Sequence, residues 1–242
     1  MLTIKEYMSA DRRNYHAKVR EKRDSIHVSE GGKPLFGKGF TRYVEVYLPS
    51  TYRHSLTVTS TSGQVDLSDV KLDLSRLRID NKSGQTNLSS ARAREMHLSS
   101  TSGRIEGGLL QAYSIRLETT SGQITCDELN GEVEYTTTSG DLVVRAASGA
   151  GSYRADNSGA LQVHYQNLDG DLSLYNKSED ILLSLPPDAA FTFEAKSKNG
   201  ALSTDFPEAL RIEGGKAYGV VGRNPSAKVY LETQDGDIEV RR

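Results

Sequence analysis

Ser-Gly closes a short polar run again and again in this chain: TSTSG (59–63), NKSG (81–84), SSTSG (99–103), TTSG (119–122), TTTSG (136–140) and DNSG (156–159). A serine beside a glycine is the raw material of a nucleophile on a tight turn, and glycine-rich runs can cradle phosphate. Neither chemistry has its context here. The nucleophile elbow needs G-x-S-x-G between a strand and a helix, and a nucleophile need not be repeated. A phosphate loop needs G-x-x-x-x-G-K-[ST], which GGLLQAYS and GGKAYG do not supply. The pairs therefore read as corners of the fold, and no catalytic residue is assigned.

Other chemistry-bearing residues are equally spare. His16, His27, His54, His97 and His164 show neither i, i+4 pairing nor the acidic neighbours of a zinc site in sequence. The GGxGxDxU nonapeptides of calcium-binding β-rolls are absent. Cys126 is the sole cysteine, which excludes an internal disulfide framework and a cysteine-cluster metal site, and its place in an apolar column marks it as a buried hydrophobe. No cofactor or metal is expected.

Two sets of side chains recur in register. Lys71, Arg76, Arg78, Lys82, Arg92 and Arg94 fall in adjacent repeats and can gather into a basic patch for acidic glycans, teichoic polymers or phospholipid headgroups. Interleaved Asp66, Asp69, Asp73 and Asp80 favour charge ladders on a solvated face instead. Thr61, Thr101, Thr120 and Thr138 form a hydroxyl column, but Lys82, Asn157 and Lys177 interrupt or flank the flat array that ice binding would use.

The elements that position these residues follow from the period. Successive motif glycines Gly63, Gly84, Gly103, Gly122, Gly140 and Gly159 are 21, 19, 19, 18 and 19 residues apart, and Glu179, Gly200 and Gly236 continue the register. Apolar residues stand seven and five positions before the glycine (Ile115 and Leu117, for example) and two and four after it (Ile124 and Cys126). Spacing of two is the strand period. The step across the glycine, from five before to two after, is odd, so only a bend lets both pairs enter one core. LNG (129–131) and LDG (168–170) mark a second corner. Two strand pairs and two corners in about 19 residues predict a parallel β-solenoid whose coils rise about 4.8 Å, eight or so of them making a rod on the order of 40 Å long.

The fold class is thus all-β, a single-domain parallel β-solenoid or β-helix with irregular β caps at both ends. Residues 1–50 make the N-terminal cap and first strands, 51–205 the repeat coils, and 206–242 a hairpin insertion and closing repeat in one continuous domain. YHAKVREKRDSIHV reads as strand, charged turn and strand, with a helix over 4–22 as the competing reading; a strand RYVEVYLP follows, and Gly214 and Gly215 turn an irregular hairpin. Local departures are expected at Tyr153 and Arg154, one step out of phase, at Thr86 in place of an aliphatic residue, and at Gly107 in a core column.

Composition agrees with this class. The chain has 242 residues, no Trp, 5 Phe and 22 Gly, and its 30 basic and 32 acidic residues leave a net charge of −2, which excludes a global field for nucleic acid. No apolar run approaches the roughly 18 residues of a membrane span, and no signal region opens the chain, so membrane association is expected only through an anchor absent from this sequence.

Coils of the form L-x-[IVL]-x-x-x-SG-x-[IVL]-x-[VL], preceded by a strand ending in LP and closed by VYLETQDGDIEV, resemble the bacterial adhesin-like family of unknown function known as the toastrack domain, over Asp24 to Arg242. The resemblance implies a β-solenoid carried on the outer side of the membrane and associated with envelope stress, with no catalytic residues. The expected function is a non-enzymatic, cell-envelope surface or scaffold module that binds a protein or envelope polymer; the alternative is a polysaccharide-processing β-helix enzyme.

Overall fold

The computed structural model describes residues 2–34, 39–206 and 210–242, and among them there is no helix. By compactness the chain has two units, Met1–Tyr52 and Arg53–Arg242.

In the first unit β1 (Thr3–Met8) pairs antiparallel with β4 (Arg42–Tyr47), and β2 (Lys18–Lys22) with β3 (Ser25–Ser29). The competing helix does not form: Ile4, Glu6 and Met8 of β1 are half-buried and Thr3, Lys5 and Tyr7 exposed, the period of a strand. Tyr15 is the buried anchor. Its carbonyl accepts a hydrogen bond from Arg42 Nη1 at 2.9 Å, its ring meets Phe40 edge-on, and Arg42 also pairs with Glu30 at 2.7 Å.

The second unit is the solenoid. β5 (Ser55–Ser60), β6 (Val65–Asn81), β7 (Thr86–Ser100), β8 (Ile105–Thr119), β9 (Ile124–Thr137), β10 (Leu142–Ala155) and β11 (Leu161–Asn176) pair in parallel, each with the next. From β6 on, each long strand runs through the second bend, because the ladder to neighbouring coils continues around it. Register stacks like on like: Thr86, Ile105, Ile124, Leu142, Leu161 and Ile181 form one buried column, and Leu77, Met96, Ile115 and Val133 another. Each fully buried aliphatic side chain contributes about 1.5–3 kcal/mol, so these columns drive the stacking.

Each expected departure has a packing reason. Thr86 is fully buried because its hydroxyl accepts from Asn81 Nδ2 at 3.2 Å. Gly107 leaves room that Leu110 fills, since a Cβ there would meet Leu110 Cδ1 at 2.8 Å. Gly151 likewise makes space for Tyr153 and Tyr165, whose hydroxyls meet at 3.0 Å in the core. The phase slip at Tyr153 is a longer corner. Ala155 pairs with Thr137 and Asn176, so four steps lead to Gly159 where three lead from Thr137 to Gly140, and Gly159 absorbs the extra residue at φ +115°. At the second bend Gly131 pairs with Gly149 of the next coil.

Beyond β11 the stack departs from chain order. The remaining strands are β12 (Ile181–Ser184), β13 (Phe191–Ser197), β14 (Leu202–Thr204), β15 (Leu210–Glu213), β16 (Lys216–Val221), β17 (Ala227–Thr233) and β18 (Ile238–Arg241). β17 lies between β11 and β13, and β18 between β12 and β14, all parallel. The closing repeat is therefore last in sequence but internal in the stack. The hairpin β15–β16, turned at Gly214 and Gly215 with positive φ, lies antiparallel along β13 and covers that edge. This is why Gly200 to Gly236 takes nearly two periods: the chain builds the hairpin, then returns to slot its last repeat inside.

Candidate functional site

The repeated serine lies at the corners between the strands of the coils. The residue three before the glycine turns inward and accepts the glycine N–H: Ser100 Oγ from Gly103 at 2.8 Å, Thr119 Oγ1 from Gly122 at 2.7 Å, Thr137 Oγ1 from Gly140 at 2.7 Å, Ser197 Oγ from Gly200 at 2.9 Å, Thr233 Oγ1 from Gly236 at 3.1 Å. Asn81 Oδ1 accepts from Gly84 N–H in the same way, and Asn176 Oδ1 from the N–H of Glu179, which stands in the glycine's place, both at 3.3 Å. All seven acceptors are buried. The serine next to the glycine points outward and is bonded, where it is bonded, to an adjacent coil: Ser83 Oγ donates to Thr61 O at 2.8 Å and Ser121 Oγ to Thr101 O at 3.5 Å, one coil back, while Ser139 Oγ accepts from Asn157 Nδ2 of the next coil at 3.3 Å. Among the described residues no base is bonded to it. The threonine column one place earlier is exposed at Thr61, Thr101, Thr120 and Thr138. The polar column that matters structurally is the buried one, which the sequence displays as Ser, Thr or Asn three before the glycine.

The glycine itself is demanded by stacking. A Cβ on Gly84, Gly103, Gly122, Gly140 or Gly159 would overlap the carbonyl oxygen of the corner glycine one coil back. Positive φ, the usual reason for glycine at a corner, applies only to Gly159 among these.

The six basic residues do not form one patch. Arg76, Arg78 and Arg94 line an open depression of about 830 Å³ on the outer side of β5–β8, together with Thr57, Glu95, His97, Tyr113 and Arg116. Lys82 lines a smaller neighbour of about 310 Å³ at the corner, with Asp80, Thr101 and Glu118. Lys71 and Arg92 lie in neither.

Ladders run across this face as the interleaved charges suggested. Arg76 holds Glu95 at 2.6 Å, Arg78 holds Asp80 at 2.7 Å, and Arg116 holds Glu118 at 2.6 Å. His97 bridges coils, with Nδ1 2.9 Å from Arg78 Nη1 and Nε2 2.8 Å from Glu118 Oε2, and Ser99 donates to Asp80 at 2.6 Å. Partial burial works against the charge of Asp80, yet the bonds from Arg78 and Ser99 hold its carboxyl below the usual range. Glu118, opposed by burial in the same way, is held low by Arg116 and His97. Carboxylates so fixed in the ionised form are poor general acids.

Arg94 and Tyr113 stand apart from the ladders. Their row has neutral Ser75 on the other side, and among the described residues Arg94 has no carboxylate partner. Tyr113 is 78% exposed, the highest of the large apolar or aromatic side chains described. The row ends at β9, where Ala112 and Tyr113 face only Gly131 and the coil becomes narrower. Sequence reading named Arg94 but missed Tyr113; its signal was the one residue by which β8 outruns β9 at this bend.

The remaining candidates are structural. Cys126 is fully buried, and burial pushes its thiol up to about 12, so it is inert. His16 sits in the first unit between Glu6 at 3.1 Å and Asp11 at 2.8 Å, while His27, His54 and His164 are exposed. Among the described residues no group of three His, Cys, Asp or Glu is placed to hold a metal ion, and no helix is long and apolar enough to cross a membrane.

A chain described as a "putative cell adhesion protein" from Clostridium sporogenes is 12% identical, with a TM-score of 0.27 over 100% of this chain and 82% of that one, a likeness too slight to bear on role. No curated protein matches. Two stretches that overlap by a few residues, 8–158 and 155–241, match the profile described as Toastrack DUF4097. With its repeated Ser-Gly corners and parallel coils, the chain belongs to the toastrack family.

Proposed function

We propose that this protein is a non-enzymatic surface or scaffold module of the cell envelope that binds an envelope polymer on the outward side of its coils. The observation that carries the reading is the depression across β5–β8, which sets Arg94 and Tyr113 beside a face whose other charges are mutually paired. A solenoid holds such outward side chains at fixed intervals of about 4.8 Å, a geometry suited to a repetitive ligand.

The enzymatic alternative, a polysaccharide lyase or hydrolase, calls for a free base or a carboxyl kept neutral beside a second carboxylate. Glu95, Asp80 and Glu118 are each tied to an arginine, and the last two are held ionised, which favours binding over turnover. Co-sedimentation of the purified chain with isolated bacterial cell walls, alongside a reducing-end assay on the same material, tests the reading. Saturable binding without new reducing ends is expected. Absence of binding, or release of new ends by the protein alone, overturns it.

A further inference from the structure

At the row Ser75–Arg94–Tyr113 the ladder between coils skips a position. β6 and β7 pair at Leu74↔Ala93 and again at Arg76↔Glu95, and β7 and β8 at Ala93↔Ala112 and Glu95↔Ser114, so one unpaired residue per coil stands between. That residue is Ser75, then Arg94, then Tyr113. At β9 the row is lost: Gly131, at φ +144°, faces Ala112 so closely that a Cβ there would overlap the Ala112 carbonyl. The wide coils thus end in a step, and Tyr113 stands on its lip.

Chemistry at the step differs from that of the ladders beside it. Arg76, Arg78 and Arg116 are each neutralised by a carboxylate within 2.6–2.8 Å. Arg94 is exposed and has no such partner among the described residues, and the lining around it holds Glu95 as its one acidic side chain, already bonded to Arg76 through both Nε and Nη2. An unpaired guanidinium is a planar fork that matches a carboxylate or sulfate bidentately. A neighbouring exposed tyrosine offers a flat apolar face with a polar tip. Fork and ring in adjacent coils suit a ligand whose units alternate a flat ring face with an anionic group.

We propose that the Arg94–Tyr113 step is a binding subsite for an acidic polysaccharide, Arg94 taking the anionic substituent and Tyr113 stacking on the sugar ring. This rests on the envelope-module reading and names its ligand class. A neutral glycan leaves Arg94 unused, and a polyanion without rings leaves Tyr113 unused.

The test is titration of the full chain with polygalacturonate, with dextran and polyphosphate as separate probes, by calorimetry at low and moderate salt. Polygalacturonate is expected to bind, weakening as salt rises; dextran and polyphosphate bind at least tenfold more weakly. Arg94→Ala and Tyr113→Ala each weaken it about tenfold, equivalent to 1.4 kcal/mol, while Tyr113→Phe keeps the ring and the affinity. Arg145→Ala, at an exposed pair with Asp127, leaves it unchanged. Both Arg94 and Tyr113 are exposed, and matched melting curves confirm folding. Three outcomes overturn the subsite: no polygalacturonate binding, equal binding of dextran or polyphosphate, or indifference to both alanine variants. If walls still co-sediment and Arg94→Ala does not alter it, the subsite falls and the envelope-module reading stands. If the wild-type chain fails to bind walls yet binds polygalacturonate through Arg94 and Tyr113, the reverse holds.

Discussion

The carbonyl oxygen of Gly103 occupies the place where a side chain on Gly122 would begin. The same relationship links Gly84 to Gly63 and Gly140 to Gly122, so the glycine column is a stack in which each corner closes on the one before. Gly63 has no coil behind it, and a Cβ there meets only Ser60 Oγ at 3.2 Å. Gly122→Ala should therefore cost about 2–3 kcal/mol by overpacking, and Gly63→Ala less than about 1. Urea unfolding midpoints compare the two directly, and equal losses contradict the stacking account.

Beneath each glycine lies a buried hydroxyl or amide. Thr119→Val keeps the shape but removes the acceptor that Gly122 N–H reaches at 2.7 Å, leaving a buried donor unsatisfied. The expected cost is about 1–3 kcal/mol, and Thr119→Ser should recover most of it. Thermal melts of the two variants decide, the account requiring valine to be the worse of the pair.

Alkaline pH should loosen the core. Burial pushes Cys126 and Tyr165 up to about 12, and Tyr153 upward as well, from ordinary values of 9.0 for the thiol and 10.0 for the phenols. In the unfolded chain these groups ionise first, so their contribution is whole below about pH 9 and is lost as pH rises toward the folded values. Stability measured from about pH 8 to 11 should fall, and Cys126→Ser should reduce the earliest part of that fall. A thiol reagent at neutral pH should label Cys126 only after denaturation.

The last repeat should behave as interior structure. β17 has strands on both sides, whereas among the described residues β15 pairs with β16 alone. Amide exchange in β17 is expected to be as slow as in β8, and exchange in β15 much faster. Leu231→Ala, at a fully buried site, should cost about 2–5 kcal/mol. Fast exchange across β17 would place the closing repeat at the end of the stack instead.

Most of the solenoid was legible because its columns repeat: Ile115, Leu117, Ile124 and Cys126 appear at spacings that only a bent strand can bury on one side, and all four are buried. Spatial order near the C-terminus was hidden, because VYLETQDGDIEV has the same pattern wherever in the stack it is placed; only the 36-residue step hinted at a return. The glycine requirement was half legible. A corner was evident, but whether φ or a stacked carbonyl demands glycine depends on the coil behind. At the surface, the sequence showed six basic residues without showing which carboxylates they meet. Arg76, Arg78 and Arg116 are neutralised across coils or two places along a strand, and Arg94 emerges as different only when the rows are aligned. Tyr113 lay in an apolar run, LLQAYS, that reads as core by composition, and the bulge turns it outward.

Hydroxyl-radical footprinting with bound polygalacturonate separates recognition on the outer wall from recognition elsewhere. Tyr113, Tyr218 of the C-terminal hairpin and Tyr43 of the first unit are all exposed and act as reporters within one sample. The account predicts reduced oxidation at Tyr113 and His97, with Tyr218 and Tyr43 unchanged. Unchanged oxidation at Tyr113 together with protection at Tyr218 or Tyr43 contradicts it.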